Sequence, residues 1–151
     1  MDSAVWKPSV TVAAVVERDG SFLLVEEEAD GRRVYNQPAG HWEPGETLVD
    51  ACVRETLEET AWRCEPRQLV GVYRWHYAPA DNTFLRFTFA CAPLGLDGSR
   101  QLDREIVRAV WLTVDEIRTL APAHRSPLVM RCIDDFIAGQ RWPLEVITHV
   151  D

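Results

Sequence analysis

The stretch that decides the fold of this 151-residue chain is GHWEPGETLVDACVRETLEETAW, from Gly40 to Trp62. A loop rich in glycine and proline leads into a segment that contains neither residue. Thr47, followed three residues later by Asp50, has the spacing of a capping box, which marks the start of a helix. The sequence therefore predicts a helix over residues 48–60.

Acidic side chains crowd one face of this predicted helix. At about 100° per residue, Glu55, Glu58 and Glu59 fall within an arc of roughly 100°. The apolar residues opposite them recur at every fourth position: Val49, Val53 and Leu57. Like charges on one face destabilise a helix unless a cation binds there, and carboxylates without histidine or thiolate partners suit Mg²⁺ or Mn²⁺. The alternative is a solvated acidic face balanced by Arg54.

The pattern G-x5-E-x7-R-E-x-x-E-E resembles the signature of the Nudix hydrolase family. The residues that match it are Gly40, Glu46, Arg54, Glu55, Glu58 and Glu59. Three positions depart from the family pattern: Thr56 and Trp62 replace aliphatic residues, and Ala61 replaces a glycine. A left-handed turn at Ala61 would cost an alanine about 1–2 kcal/mol. The alternative is that the helix continues past this position.

The resemblance implies an α+β fold, an α/β/α sandwich with a mixed central β-sheet. We expect a single Nudix domain over residues 1–151, with short tails at about 1–8 and 140–151. Strands and helices do not alternate regularly, which also disfavours a doubly wound parallel sheet. Alternation and turn signals predict strands at 10–17, 22–27, 34–37, 69–77, 83–91 and 106–112. Two later helices are predicted after the caps Thr113 and Ser126, ending near 120 and 138.

Composition limits the partners. The net charge of −8 argues against sequence-independent binding to nucleic acid. The chain has no apolar run of about 18 residues and no signal-peptide pattern, so we expect neither a membrane span nor secretion. The four cysteines lack C-x-x-C spacing and suit free thiols in a reducing, cytoplasmic setting. Monomer and homodimer both remain open.

The Nudix resemblance assigns roles to residues of the signature. It implies that Glu55, Glu58 and Glu59, with the main-chain carbonyl of Ala39, bind Mg²⁺, for which Mn²⁺ can substitute. Arg54 is expected to position a glutamate through a charge-assisted hydrogen bond, since its guanidinium can bind two carboxylate oxygens at once. Glu46 is expected to support the site from behind the ligands.

The general base stays open at this stage. Glu58 or Glu59 could serve from within the signature. The loop before the strand at 106–112 offers Asp103 and Glu105, and Glu105 is favoured because relatives often carry an acid there. A plain surface charge is the alternative for Glu105.

Sequence outside the signature resembles one Nudix branch between Lys7 and about Arg131. The matching segments are VTVAAVV, VYNQPAGHWEPGETLVDA, FLRFTFA and HRSPLV. Members of that branch are phosphatases of hydroxymethylpyrimidine pyrophosphate, thiamine pyrophosphate and, less selectively, nucleoside di- and triphosphates. The resemblance therefore implies a small-molecule diphosphate substrate and release of orthophosphate.

Aromatic and basic residues outside the signature are candidate substrate contacts. Ring stacking is expected from members of an aromatic set: Tyr35, Trp42, Trp75, Tyr77, Phe84 and Phe87. Arg86 interrupts an apolar strand, so it should contact either a carboxylate or a substrate phosphate. His76 and His41 are possible phosphate contacts, with an ordinary hydrogen-bonding role as the alternative.

Three functions remain open on the sequence. The favoured one is an Mg²⁺-dependent phosphatase of pyrimidine and thiamine pyrophosphates with loose nucleotide activity. The second is a pyrophosphohydrolase that converts nucleoside triphosphates, including oxidised ones, to the monophosphate and pyrophosphate. The third is a non-catalytic nucleotide-sensing module, which the complete set of signature glutamates disfavours.

Overall fold

The computed structural model describes residues 4–151, which form eight strands and three α-helices. The strands are β1 (Ser9–Arg18), β2 (Ser21–Ala29), β3 (Arg32–Asn36), β4 (Ala39–His41), β5 (Trp62–Tyr77), β6 (Asn82–Leu96), β7 (Ile106–Thr113) and β8 (Trp142–Pro143). The helices are α1 (Leu48–Thr60), α2 (Val114–Thr119) and α3 (Leu128–Ile137). The amino-terminal tail expected at 1–8 lies partly outside the described residues, and residues 4–8 belong to no strand or helix.

The sheet is mixed, as predicted. β1 runs parallel to β6 and antiparallel to the short β4, while β5 lies between β6 and β8 with antiparallel pairing. β2 meets β1 only at their hairpin and carries β3 on one side and β7 on the other. No helix within residues 4–151 is long and apolar enough to cross a membrane.

Alternation along β1 builds two hydrophobic cores, one on each face of the sheet. Even-numbered residues of β1 join the core that contains α1: Val12, Ala14 and Val16. Val15 points the other way and joins Ile117 of α2 and Ile133 of α3. Because successive side chains of a strand point to opposite faces, this pattern places the sheet between α1 and the pair α2–α3. The predicted α/β/α sandwich is confirmed.

Helix α1 begins and ends at its predicted residues. The Thr47 hydroxyl accepts a hydrogen bond from the Asp50 N–H at 3.0 Å. The helix ends at Ala61, which keeps the left-handed turn with φ 64°, and whose N–H donates to the Leu57 carbonyl. Its buried face does not follow the predicted valine stripe; the buried residues are Leu48, Ala51, Cys52, Thr56, Glu59 and Thr60. Thr56 can replace an aliphatic residue because its hydroxyl donates to the Cys52 carbonyl at 2.8 Å.

Strands β5 and β6 are longer than predicted and form one long hairpin closed by the 3-10 turn Ala78–Ala80. Register shifts at three places along β5 break its alternation, which explains why residues 62–68 were not predicted as a strand. The carboxyl-terminal segment packs only partly on the core. Leu144 contacts the core, whereas Trp142 and Val146 are about half exposed.

Candidate active site

Three carboxylates meet at the exposed side of α1. One oxygen from each of Glu55, Glu58 and Asp103 lies within 4.8 Å of the other two. Successive turns of α1 supply the two glutamates, and the Asp103 N–H donates to the Glu58 carbonyl at 3.1 Å, which ties its loop to the helix. An all-oxygen donor set of this kind suits a hard divalent cation. The residues present therefore fit a divalent metal site.

Glu59 is turned away from this cluster and toward β4. Its Oε1 accepts a hydrogen bond from the Ala39 N–H at 2.9 Å, and the residue is 7% exposed. Burial, reinforced by the nearby carboxylates of Glu27, Glu55 and Asp103, raises the pKa of Glu59 to about 9. Ala39 and Glu59 line the same cavity. Their predicted roles as metal ligands stay predictions.

Arg54 holds the acidic residues in place. Its Nε and Nη2 bind both oxygens of Glu46 at 3.0 and 2.7 Å, and its Nη1 donates to Glu55 at 2.7 Å and to Glu58 at 3.4 Å. The hydrogen bond from Arg54 lowers the pKa of the Glu46 carboxyl below its ordinary value. Burial raises the pKa of Glu55, and the hydrogen bond and positive charge of Arg54 offset part of this rise. Arg54 therefore connects Glu46, behind the site, to the two carboxylates that face it.

Gly40 provides space for Glu55. A Cβ at Gly40 would overlap the carboxyl group of Glu55. The backbone here belongs to β4 and needs no left-handed conformation, so a close approach accounts for this glycine. The loop residue and the helix residue of the signature are thus coupled by packing.

Glu55 and Asp103 of the cluster line a cavity of about 450 Å³, whereas Glu58 does not belong to its lining. Eight acidic residues line the cavity, among them Glu27, Glu55, Glu59, Asp103 and Glu105, and its two arginines are Arg86 and Arg125. A neighbouring cavity of about 670 Å³ shares Trp75, Phe84 and Arg125 with the first, and Tyr77 extends its wall. Trp75 stacks on Phe84 and on Tyr77 with centroid distances of 5.6 and 5.4 Å. One groove therefore has a carboxylate end and an aromatic end.

Some predicted substrate contacts line this groove and others do not. Phe84 and Arg86 line the first cavity, and Tyr77 lines the second. In residues 4–151, four predicted contacts line neither cavity: Tyr35, Trp42, His76 and Phe87, the last of which packs against the hydrophobic core. The Tyr35 hydroxyl donates to Glu26, the Trp42 Nε1 donates to the Glu46 carbonyl, and His76 Nδ1 pairs with the Thr83 hydroxyl.

The two candidate bases of the loop before β7 take different places. Asp103 belongs to the three-carboxylate cluster. Glu105 is exposed at the rim of the cavity, and its main-chain carbonyl accepts a hydrogen bond from the Glu28 N–H at 2.9 Å. Both residues are therefore near enough to the site to remain candidates, and the predicted preference for Glu105 is not decided by this arrangement.

Several residues of the cavity were not singled out from the sequence. Glu27 is buried at 3% exposure on β2, and Arg125 reaches it from the loop before α3 with an Nη1–Oε1 distance of 2.7 Å. Asn36 joins them in the lining. The glutamates that follow the apolar run of β2, Glu27 among them, were a usable signal, because a buried carboxylate needs a partner. Nothing local in the sequence marked Arg125 as that partner.

Comparison with known proteins agrees with this geometry. Residues 6–132 match the model of the NUDIX domain. This chain belongs to the Nudix hydrolase family. It is 43% identical to the phosphatase NudJ of Escherichia coli K12 over 142 residues, which cover 94% of this chain and 92% of that protein. The NudJ of Shigella flexneri matches equally well.

Solved structures of Nudix proteins superpose on the chain. A Nudix hydrolase from Nitrosomonas europaea has a TM-score of 0.94 and 50% identity, covering 95% of this chain and 98% of that one. A second Nudix hydrolase from the same organism has a TM-score of 0.75 and 26% identity, covering 92% and 77%. The family and the NudJ relatives identify the chain as a hydrolase that acts on phosphoric anhydrides.

Proposed function

We propose that this Nudix hydrolase is an Mg²⁺-dependent phosphatase that releases orthophosphate from the terminal phosphate of small diphosphates. Its proposed substrates are hydroxymethylpyrimidine pyrophosphate, thiamine pyrophosphate and nucleoside di- and triphosphates. The observation that carries the proposal is the groove with carboxylates at one end and stacked aromatic rings at the other. A phosphorylated heteroaromatic compound has one part for each end: a phosphate group for the metal-binding carboxylates and a flat ring for the aromatic side chains.

The residues of the chain divide the work in this proposal. Glu55, Glu58 and Asp103 would hold the Mg²⁺, with Glu59 and the Ala39 carbonyl as further ligands. When bound, the ion neutralises phosphate oxygens and acidifies a water. Arg54 keeps the ligands in place through its hydrogen bonds. Removal of a proton from water would fall to one of the carboxylates in the cavity, with Glu105 preferred.

Two further lines support the phosphatase assignment. The relatives that align with nearly the whole chain carry the name phosphatase. Resemblance to the branch that acts on pyrimidine and thiamine pyrophosphates extends beyond the signature, and the stacked pair Trp75 and Phe84 offers a flat surface to such rings. We also infer that the protein works in the cytoplasm as a single-domain monomer or homodimer.

The test is a product assay. Purified protein with Mg²⁺ is offered the two pyrophosphates and a panel of nucleotides, and orthophosphate and pyrophosphate are quantified separately. Orthophosphate from the diphosphates supports the proposal. Pyrophosphate formed only from triphosphates would identify a nucleotide pyrophosphohydrolase instead. Omission of metal, or its replacement by Mn²⁺, tests the cofactor.

Variants of the acidic residues show whether the activity belongs to this site. Glu58→Gln and Glu59→Gln should each lower kcat by at least about 100-fold, because loss of one ligand charge weakens stabilisation of the transition state. Glu59→Gln retains an oxygen that can accept the Ala39 N–H, so it should stay folded. Near-normal rates in both variants would contradict the ligand assignment. Glu65→Gln, an exposed change on β5, is the matched control.

A further inference from the structure

Arg86 brings a buried positive charge into the cavity without a carboxylate partner. The residue is 6% exposed, and its guanidinium donates to the Gln37 Oε1 at 3.0 Å and to the Asn36 Oδ1 at 3.2 Å. Among residues 4–151, no carboxylate oxygen lies within ion-pair distance of it. Burying an ion without a countercharge costs several kcal/mol. Stability alone therefore does not explain an arginine at this position, whereas a bound anion does.

The two amides hold Arg86 without cancelling its charge. Gln37 is 1% exposed, and its Nε2 donates to the Val129 carbonyl of α3 at 2.7 Å, which turns its Oε1 toward Arg86. Asn36 approaches from the end of β3. A carboxylate at either position would form an ion pair with the guanidinium. Neutral acceptors orient the arginine and leave its charge available to a ligand in the cavity.

Arg125 supplies a second cation to the same cavity. Its side chain is 50% exposed, it bonds Glu27 through Nη1, and it lines both cavities. A guanidinium has five N–H donors, and one of them is used here. Arg125 belongs to both linings, as do Trp75 and Phe84, so it lies in the part of the groove that the two cavities share. A diphosphate in the first cavity therefore lies within the lining to which Arg86 and Arg125 both belong.

We propose that Arg86 and Arg125 form an anion-binding pair for the diphosphate of the substrate, with Asn36 and Gln37 as positioning residues of Arg86. The inference rests on the proposed function and deepens it, since it assigns diphosphate contacts in addition to the metal-binding carboxylates. Guanidinium groups suit this ligand because each can bind two phosphate oxygens through parallel N–H bonds. Arg86 is held by two amide oxygens, while Arg125 keeps its bond to Glu27 and offers its remaining N–H donors to the ligand.

Binding of methylenediphosphonate tests the pair without any chemical step. Its affinity for the Mg²⁺-loaded protein is measured by isothermal titration calorimetry, alongside Tm. Arg86→Gln and Arg125→Gln should each weaken binding at least tenfold. Arg108→Gln is the matched control, because Arg108 also pairs with a buried glutamate, Glu26, but lies outside both cavities. Its affinity should stay within twofold of the original.

Asn36→Asp separates a ligand-binding role from a structural one. The substitution keeps the shape of the side chain and places a carboxylate beside Arg86, so an arginine that merely stabilises the fold would be held better. The anion-binding pair predicts at least a fivefold loss of diphosphonate affinity with Tm unchanged or raised. Unchanged affinity in Asn36→Asp overturns the role of Arg86, even if Arg86→Gln fails to fold. Unchanged affinity in Arg125→Gln overturns the pair.

Hydrolysis assays on the same proteins keep the two proposals apart. Arginine-dependent binding of methylenediphosphonate in a protein that hydrolyses no diphosphate would contradict the proposed function and leave the anion-binding pair standing. Active hydrolysis together with diphosphonate binding that ignores both arginines would overturn the pair alone. The Arg86→Lys variant shows whether diphosphonate binding depends on the positive charge alone or also on the two parallel donors, since lysine retains the first and lacks the second.

Discussion

The absence of a single methyl group at Gly40 determines where the Glu55 carboxylate can lie. In Gly40→Ala the new Cβ would overlap that carboxyl group, which sits at the end of a flexible side chain and can move away. We therefore expect a small change in Tm, of about 2 °C or less, and a loss of activity of at least tenfold, since carboxylates displaced by about 1 Å lose most of their effect. Steady-state kinetics and thermal denaturation measure the two quantities.

Gly98→Ala is the control for this substitution, because a Cβ there meets no atom within 4 Å and the backbone is not left-handed. It should leave both activity and Tm unchanged. Full activity in Gly40→Ala would mean that Glu55 does not need its present position.

Ala61 offers a gain in stability. Its φ of 64° suits glycine, and an alanine in this conformation destabilises the folded state by about 1–2 kcal/mol. Glycine would remove this strain, but its greater entropy in the unfolded chain offsets part of the gain. Ala61→Gly should therefore raise the free energy of unfolding by about 0.5–1 kcal/mol, measured by urea denaturation. Ala138, which ends α3 with φ −69°, provides the opposite case, so Ala138→Gly should destabilise. A loss of stability in Ala61→Gly would show that its buried methyl group outweighs the strain.

At the scale of elements, Glu26 joins three strands. Its carboxylate on β2 accepts from the Tyr35 hydroxyl of β3 at 2.7 Å and from Arg108 of β7 at 3.2 Å. The hydrogen bond from Tyr35, followed by those from Arg108, lowers the pKa of Glu26 below its ordinary value. A lowered carboxyl pKa means that the folded state binds the proton more weakly than the unfolded state. The stabilisation is therefore present above about pH 4.5 and is lost as the pH falls further.

Glu26→Gln should accordingly destabilise the protein by about 1–2 kcal/mol at pH 7, and the difference from the original should shrink at pH 3.5. Urea denaturation at pH 7, 5 and 3.5 gives both values. Glu28→Gln, which breaks an ion pair between exposed side chains, should change stability by less than about 0.5 kcal/mol at each pH. A difference for Glu26→Gln that is the same at every pH would refute the linkage.

Elements with strong local signals were predictable, and those shaped by long-range pairing were not. Helix α1 has a cap at Thr47 and a fixed signature, and its bounds were predicted correctly. The start of β5 was missed because bulges interrupt its alternation and its pairing partner lies in β6. The buried face of α1 was also missed. Thr56 is buried because its hydroxyl donates to a carbonyl of the same helix, and Glu59 is buried because its carboxylate accepts a hydrogen bond from the Ala39 N–H. Polar residues with local partners can thus occupy a buried face.

At the scale of the whole molecule, the site combines residues that the sequence marks with residues that only the fold brings near. The signature glutamates and Arg54 were identifiable because their spacing is fixed by one loop and one helix. Glu27 and Arg125 are 98 positions apart, and their contact depends on how the loop before α3 packs against β2. The aromatic wall likewise depends on the long hairpin of β5 and β6, which places Trp75 opposite Phe84. Substrate contacts therefore could not be chosen reliably from residue type alone.

The stability of the whole molecule should depend on a divalent cation. Glu55, Glu58 and Asp103 repel one another in a protein of net charge −8, and a cation that binds only the folded state stabilises it by about 2.7 kcal/mol at 100 times its Kd. For a chain of this length that corresponds to a rise in Tm of roughly 5–10 °C. Thermal denaturation with Mg²⁺ and with EDTA, at ionic strength matched with KCl, measures the shift. Glu58→Gln should reduce it by more than half, whereas Glu65→Gln, which removes an exposed charge on β5, should preserve it. A shift of equal size in both variants would mean that Mg²⁺ acts on the overall negative charge and not at this cluster.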